Sequence, residues 1–145
     1  MIEIYVDGSC IKNNKGGFGV VVTENNNILT TYSERFEDTT NNQMELKAIL
    51  WAMHYIIDNN ITDKVIIYSD SQYAISSFRD WAPGWERNGW VRSKEKPVLN
   101  LELVKEGYKL LGDYGNIILK KVKGHSGVEF NELADRIATN IEEKK

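Results

Sequence analysis

The sequence predicts an α/β protein built on a mixed β-sheet, and three observations lead to this prediction. Short β-rich segments with alternating apolar residues open the chain and are separated by turn residues. The period of the apolar residues then changes from that of a strand to that of a helix. Helical and strand patterns alternate over the rest of the chain, which indicates further strands with helices packed on the sheet.

The opening segments predict three strands joined by turns. The first strand is Ile2–Val6, and Asp7-Gly8-Ser9 is predicted to end it as a turn. The second strand is Phe18–Thr23, and Asn25-Asn26-Asn27 predicts a hairpin turn before the third strand, Ile28–Phe36. Strands joined by hairpins are antiparallel, so the antiparallel part of the sheet comes first.

The next segment predicts a buried helix, because its apolar residues lie along two faces. Those faces are Met44, Ala48, Trp51 and Tyr55, and Leu46, Ile49, Met53 and Ile57. The remaining predicted elements are a strand, two helices, a strand and a closing helix: Val65–Ser69, Ser71–Phe78, Leu99–Leu111, Asn116–Val122 and Asn131–Ile141. His54 falls within the buried helix, where a packing or surface role is expected.

Composition indicates a single domain. The chain has 145 residues, enough for one sizeable core, and its net charge of −3 excludes a protein that coats nucleic acid through bulk positive charge. Cys10 is the only cysteine, so no internal disulfide forms and a structural zinc site is not expected. No run approaches the roughly 18 apolar residues of a membrane span. The strand pattern at the start leaves no room for a leader, and we expect a cytoplasmic monomer.

Four carboxylate residues stand at the ends of predicted elements: Asp7, Glu45, Asp70 and Asp135. Their ordinary structural interpretations are a turn, a capping box, a helix N-cap and a solvated helix surface, respectively. If the first and fourth strands are parallel neighbours, Asp7 and Asp70 lie side by side at the sheet edge where open α/β sheets bind ligands. Glu45, in the first turn of the buried helix, and Asp135, in the final helix, are expected at the same edge.

A cluster of this kind favours a bound cation. Carboxylates raise one another's pKa unless a cation neutralises them. Oxygen ligands suit Mg²⁺ or Mn²⁺. Two such ions about 3.5–4 Å apart can activate a water and stabilise the leaving oxygen in phosphodiester hydrolysis.

Five strings resemble, in order, the motif set of type 1 ribonucleases H: Tyr5-Val6-Asp7-Gly8-Ser9, Thr40-Asn41-Asn42-Gln43-Met44-Glu45-Leu46, Tyr68-Ser69-Asp70-Ser71-Gln72-Tyr73, Val122-Lys123-Gly124-His125-Ser126-Gly127 and Asn131-Glu132-Leu133-Ala134-Asp135. The resemblance covers nearly the whole chain, as one catalytic domain of residues 1–145. It implies the ribonuclease H-like fold, a five-stranded mixed sheet with helices on both faces and the first and fourth strands adjacent. It also implies hydrolysis of the RNA strand of RNA/DNA hybrids with two Mg²⁺ ions, for which Mn²⁺ can substitute, leaving 5′-phosphate and 3′-hydroxyl ends.

The resemblance also assigns roles to individual residues. It implies that Asp7, Glu45, Asp70 and Asp135 are catalytic metal ligands and that His125, in a loop, assists proton transfer or product release. Residues expected to contact the riboses, the neighbouring strand or a DNA phosphate are Gly8, Ser9, Cys10, Asn13, Thr40, Asn41, Asn42 and Gln72. Family members often carry a basic residue where this chain has Asp38, so a weaker or differently built DNA-phosphate pocket is expected. Glu129 resembles a loop residue that some members place near the metals.

The stretch from about 79 to 97 resembles the helical handle of the family, inserted between core elements. It contains Trp81, which is expected to touch substrate, and Trp85 and Trp90, for which packing in a small satellite core is the alternative. Its basic residues are candidates for phosphate contacts and are partly cancelled by acidic neighbours: Arg79, Arg87, Arg92, Lys94 and Lys96, against Asp80, Glu86 and Glu95. We therefore expect weaker and more salt-sensitive binding than a strongly basic handle gives.

Two alternatives from other functional classes stay open at this point. A nuclease of the same fold that cuts DNA would use similar carboxylates, but the full motif set and the handle favour RNA in hybrids. A non-catalytic module that only binds hybrids would be indicated by the loss of a metal carboxylate. All four are present, which favours an enzyme.

Overall fold

Five strands form one mixed sheet in the computed structural model of the protein, which describes residues 1–11, 14–91, 99–122 and 129–139. The strands are β1 Ile2–Ile11, β2 Lys15–Glu24, β3 Asn27–Phe36, β4 Val65–Ser69 and β5 Ile117–Lys121. Their order across the sheet is β3-β2-β1-β4-β5. The pairs β1–β2 and β2–β3 are antiparallel, whereas β1–β4 and β4–β5 are parallel. The predicted adjacency of the first and fourth strands is confirmed.

The first strand is longer than its sequence indicates. The predicted turn at Asp7-Gly8-Ser9 is wrong, because β1 continues through these residues to Ile11 while it pairs with β2. Pairing with a neighbouring strand therefore overrides the local turn preference of these three residues. The parallel partner β4 stops earlier, since its pairing with β1 ends at Tyr5 opposite Tyr68. Asp7 thus stands within a strand, two residues beyond the last parallel pair.

The helices are α1 Asn41–Asp58, α2 Gln72–Ile75, α3 Ala82–Arg87, α4 Leu101–Asp113 and α5 Glu129–Thr139. A π-helical segment, Ser76–Trp81, joins α2 to α3. The predicted helix end at Phe78 is therefore wrong, because the helical run continues to Arg87. Pro83 does not break it, since it lies in the first turn of α3, where a proline is tolerated. The first part of the predicted insertion is thus a continuation of the helix.

Both ends of α4 and the start of α5 differ from the prediction by two residues, and the predicted end of the closing helix at Ile141 lies outside the described residues. Helix α4 begins and ends later than expected, and α5 begins earlier, at Glu129, so that Glu129 belongs to a helix and not to a loop. Along the described part of the chain, no helix has the length and apolar character needed to cross a lipid bilayer.

The core occupies both faces of the sheet, because alternate residues of β1 point to opposite sides. On one face, α1 packs on β1 and β2 through a cluster that includes Ile4, Val6 and Ile49, and α4 packs on α1. The prediction that α1 is buried between other elements is confirmed. On the other face, α5 covers β1 and β2 through a smaller cluster that includes Tyr5 and Ala134.

Candidate metal centre and its surroundings

Asp7 and Asp70 each come shortly after the segments in which the parallel strands β1 and β4 pair with each other. Asp7 lies two residues beyond Tyr5, and Asp70 follows Ser69, the last residue of β4. Because β1 and β4 run side by side in the same direction, both aspartates lie at the same edge, where open α/β sheets bind their ligands. Asp7 is buried, whereas Asp70 is partly exposed. The predicted placement of this pair is correct, although the predicted end of β1 is not.

Glu45 reaches the aspartates from α1, because this helix packs closely on β1 at Gly8. A Cβ atom at Gly8 would lie 2.5 Å from the backbone nitrogen of Glu45 and 2.5 Å from the carbonyl carbon of Met44, so only glycine permits this approach. The Gly8 N–H donates to Glu45 Oε1 at 2.9 Å, and the Ser69 hydroxyl donates to Glu45 Oε2 at 3.4 Å. Both oxygens of this buried carboxylate are therefore held in place.

Two hydroxyl residues perform the helix capping that the alternative interpretations assigned to carboxylates. Thr40 caps α1, and Ser71 caps α2. Each hydroxyl accepts a hydrogen bond at 3.1 Å from the backbone N–H of the third helical residue. Glu45 therefore lies in the second turn of α1, which corrects the expectation of a first-turn position, and Asp70 is not an N-cap.

The four carboxylates come together at one edge of the sheet. Oxygen atoms of Asp7, Glu45 and Asp70 all lie within 4.8 Å of one another. Asp135 approaches them from α5, close enough for its side chain to raise the pKa of Asp7. Helix α5 comes this close because it crosses β2 at Gly19, the residue opposite Asp7, where a Cβ atom would lie 2.5 Å from a backbone oxygen of the helix.

Burial and electrostatic repulsion raise the pKa values of two of these carboxyl groups, Asp7 and Glu45. Burial, and next the negative charge of Glu45, raises the pKa of Asp7 far above its ordinary value. Burial also raises the pKa of Glu45, although the hydrogen bonds that its carboxylate accepts partly oppose this effect. The negative charge of Asp70 raises both pKa values further. Without a cation, the cluster therefore retains protons that a divalent metal ion would displace.

The residues predicted to contact substrate form a rim next to the carboxylates. Gly8, Ser9 and Cys10 continue β1 beyond Asp7 and are partly exposed. The Cys10 N–H donates to Asn41 Oδ1 at 2.6 Å, which ties this part of β1 to the start of α1. The exposed residues at the start of α1 are Thr40, Asn41 and Asn42.

The helical run after β4 carries the other predicted contacts. Gln72 is exposed, and its side-chain amide donates to a serine hydroxyl one turn later at 2.6 Å. Trp81 is 44% exposed, with its ring centroid 6.2 Å from that of Tyr73 and 5.7 Å from that of Trp85. Trp85 and Trp90 are partly buried, so packing is confirmed for these two, but they pack against the main core and not in the predicted satellite core.

Arg79 and His54 have partners within the fold. The Arg79 guanidinium donates to the Leu119 carbonyl oxygen at 3.1 Å and pairs with Asp80 at 2.9 Å, so its positive charge is already partly neutralised within the fold. His54 is exposed and pairs with Glu106, which confirms a surface role. Several predicted residues lie outside the described ranges: Asn13, Arg92, Lys94, Glu95, Lys96 and His125.

Sequence reasoning did not single out Asn131 as a site residue. Its side chain is 2% exposed, and its Oδ1 atom has no hydrogen-bond partner among the described residues. Leaving a buried polar atom unpaired costs about 1–3 kcal/mol, so such a side chain needs an explanation. Asn131 precedes Asp135 by four residues, and that spacing places both on one side of α5. This spacing is the signal in the sequence that pointed to it.

Comparison with known proteins gives consistent matches. The family model described as RNase H matches residues 1–143. A protein named Ribonuclease H from Pseudoalteromonas atlantica is 40% identical over 138 residues, covering 94% of this chain and 87% of that protein. The crystal structure of LC9-RNase H1, a type 1 RNase H with the type 2 active-site motif, matches with a TM-score of 0.83 and 26% identity, covering 99% of this chain and 73% of that one. A foamy viral protease-reverse transcriptase in complex with an RNA/DNA hybrid matches with a TM-score of 0.84 and 29% identity, covering 96% of this chain and 19% of that longer one.

Proposed function

The chain belongs to the ribonuclease H family, in its type 1, bacterial-like form, and from this membership we infer that it is a metal-dependent endoribonuclease. It hydrolyses the RNA strand of RNA/DNA hybrids. The observation in this chain that supports the inference is the cluster of Asp7, Glu45 and Asp70, whose oxygen atoms lie within 4.8 Å of one another. Water attacks the phosphorus atom of the phosphodiester and the 3′ oxygen leaves, so the products carry 5′-phosphate and 3′-hydroxyl ends.

We propose that Asp7, Glu45, Asp70 and Asp135 hold two divalent cations, Mg²⁺ with Mn²⁺ as a substitute. The donors are all oxygen atoms, which suits these hard cations. Opposite ligands of one Mg²⁺ are about 4.2 Å apart, given metal–oxygen distances of about 2.1 Å, so oxygen atoms within 4.8 Å of one another need to move together only slightly to share an ion. The raised pKa of Asp7 supports the same conclusion, because an uncompensated cluster holds protons in place of metal. When bound, the ions supply an activated water and stabilise the leaving oxygen.

The residues around the cluster position the substrate in this proposal. Hybrid recognition relies on the 2′-hydroxyls and the shape of the minor groove, which calls for short polar groups and exposed backbone. The rim provides both: Gly8, Ser9, Cys10, Thr40, Asn41, Asn42 and Gln72. Trp81 offers a ring face to the substrate, since it is 44% exposed and lies on the helical run that follows Asp70.

Two residues outside the described ranges complete the proposed site. We propose that His125 accepts or returns a proton during turnover or assists product release, because histidine titrates near neutral pH and the residue matches the family's loop histidine. Asn13 is proposed to contact substrate on the same basis. We also propose that residues 1–145 act as one catalytic domain, as a monomer in the cytoplasm.

The direct test is cleavage of an end-labelled RNA strand paired to DNA, with and without Mg²⁺, next to single-stranded RNA and duplex DNA. Metal-dependent loss of the RNA strand of the hybrid alone is expected. Asp70→Asn should abolish it, whereas Asp63→Asn is the matched control, because exposed Asp63 precedes β4 and Asp70 follows it. Binding without cleavage in either metal would favour the hybrid-binding module, and cleavage of duplex DNA would show that the substrate class is wrong.

A further inference from the structure

A pair of stacked tyrosines crosses the sheet just before the carboxylates. Tyr5 of β1 is opposite Tyr68 of β4, and their rings stack with centroids 4.7 Å apart and planes 13° apart. Tyr5 precedes Asp7 by two residues, and Tyr68 precedes Asp70 by two. Side chains two residues apart in a strand point to the same face, so Tyr5 and Asp7 both face α5. The two strands that carry aspartates are therefore joined by ring contact on the side of this helix.

Phe130 extends this ring contact to α5. Its ring centroid lies 5.4 Å from that of Tyr5, at an angle of 46° between the planes. Phe130 is in the first turn of α5, and Asp135 follows it by five residues. The second support of the helix is Gly19, where the backbone of α5 contacts β2 directly. The helix thus rests on a ring near its start and on a glycine near its middle, and these supports fix the position of Asp135.

Tyr68 is held in place by contacts with both neighbouring strands, β1 and β5. The Tyr68 hydroxyl donates to Glu3 Oε2 at 2.6 Å, a bond that runs from β4 to β1. On the far side, Lys120 of β5 is the register partner of Tyr68, and its Nζ atom lies 6.0 Å from the centroid of the Tyr68 ring. The ring of Tyr68 therefore has little freedom to move away from Tyr5 when a helix packs on the pair.

We propose that the stack of Tyr5, Tyr68 and Phe130 positions the metal centre, by setting the distance between Asp135 and the aspartates of the two strands. These rings do not belong to the carboxylate cluster, so they act through the elements that carry it. Residues that orient ligands without touching the ion change metal affinity by about 10–100-fold. Of the four proposed ligands, only Asp135 is positioned through Phe130. Removing this ring should therefore lower the metal affinity about tenfold, the lower end of that range.

The experiment measures binding of Mn²⁺ or Mg²⁺ alone to the full chain by isothermal titration calorimetry, without nucleic acid. Phe130→Leu removes the ring but keeps an apolar side chain, and its metal Kd should rise about tenfold. Phe130→Tyr keeps the ring and should bind metal as the unchanged chain does. Val104→Ala is the stability control, because Val104 is fully buried in the main core on α4, on the opposite face of the sheet from α5.

Two results would overturn the proposal: unchanged metal affinity in Phe130→Leu, or an equal loss of affinity in Val104→Ala. The inference rests on the proposed metal site, and Asp135→Asn separates the two failures. If Asp135→Asn leaves metal binding unchanged, the assignment of Asp135 as a ligand is wrong. If Asp135→Asn weakens binding but Phe130→Leu does not, the metal site stands and the positioning role of the rings is wrong.

Discussion

Replacing Asp7 with asparagine should stabilise the metal-free protein at neutral pH while abolishing its cleavage activity. Burial and the charge of Glu45 raise the pKa of Asp7 in the folded state far above the ordinary value of about 3.9. At pH values between the ordinary pKa and the raised pKa, the folded protein holds a proton that the unfolded chain has released. The free energy of unfolding must therefore fall as pH rises through this window. Asparagine has nearly the same shape, carries no titrating proton and can still accept the Gly8 N–H that Asp7 Oδ1 accepts at 3.0 Å.

The size of the effect follows from the number of protons retained. Each retained proton lowers the free energy of unfolding by about 1.4 kcal/mol per pH unit. Over about two pH units, from about pH 5.5 to about pH 7.5, one proton shared by Asp7 and Glu45 corresponds to roughly 3 kcal/mol. Asp7→Asn should remove most of this slope, so that the stability advantage of the variant over the unchanged chain grows by a similar amount between the lower and the higher pH.

Urea denaturation in the presence of a chelator, at both pH values, measures this difference. Asp63→Asn is the matched control, since it removes an exposed carboxylate at the opposite end of β4 and should keep the slope of the unchanged chain. Equal slopes for Asp7→Asn and the unchanged chain would refute the reasoning. Saturating Mg²⁺ should reverse the order of stability, because the unchanged chain gains binding energy that the variant lacks.

Three further substitutions test the surroundings of the site. Gly8→Ala should lower the free energy of unfolding by about 1–3 kcal/mol through overpacking against α1, measured by urea denaturation, whereas Gly112→Ala meets no atom within 4 Å and should not destabilise. Thr40→Val should cost about 1 kcal/mol of stability by removing the N-cap of α1, and Thr40→Ser should restore most of it in the same assay. Trp81→Ala should raise the KM for the hybrid and change kcat little. If a base stacks on the ring, the increase in KM corresponds to about 1–3 kcal/mol. An unchanged KM in steady-state kinetics would exclude that contact.

The convergence of the carboxylates was predictable because it depends on the order of whole elements. Asp7 and Asp70 needed only two parallel neighbouring strands, and apolar periodicity identifies strands of this length. The error of five residues in the end of β1, predicted at Val6 and observed at Ile11, did not move either aspartate, because the parallel pairing with β4 ends earlier, at Tyr5. The roles of Asp7, Glu45, Asp70 and Asp135 as metal ligands, and of His125 in proton transfer, remain predictions.

The errors concern features that depend on residues distant in sequence. Nothing within Asp7-Gly8-Ser9 shows that β2 pairs alongside it, so the local signal predicted a turn. The continuous helical run through Phe78 to Arg87 likewise depends on packing against α4 and not on local propensity. The spacing of Asn131 and Asp135 places them on one side of a helix, but neither the burial of Asn131 nor the ring contact of Phe130 with Tyr5 could be predicted without knowing how α5 crosses the sheet.

Two glycines on opposite faces of the sheet explain how side chains from two helices reach one edge. Gly8 faces α1 and lets that helix bring Glu45 to the aspartates, while Gly19, opposite Asp7 in the register, faces α5 and lets it bring Asp135. A side chain at either position would separate a helix from the sheet, and each helix carries one carboxylate of the proposed metal site. The strands alone provide only Asp7 and Asp70. The close approach at the two glycines is therefore what converts a pair of strand carboxylates into a cluster of four, and the same crowding makes the metal-free cluster retain protons.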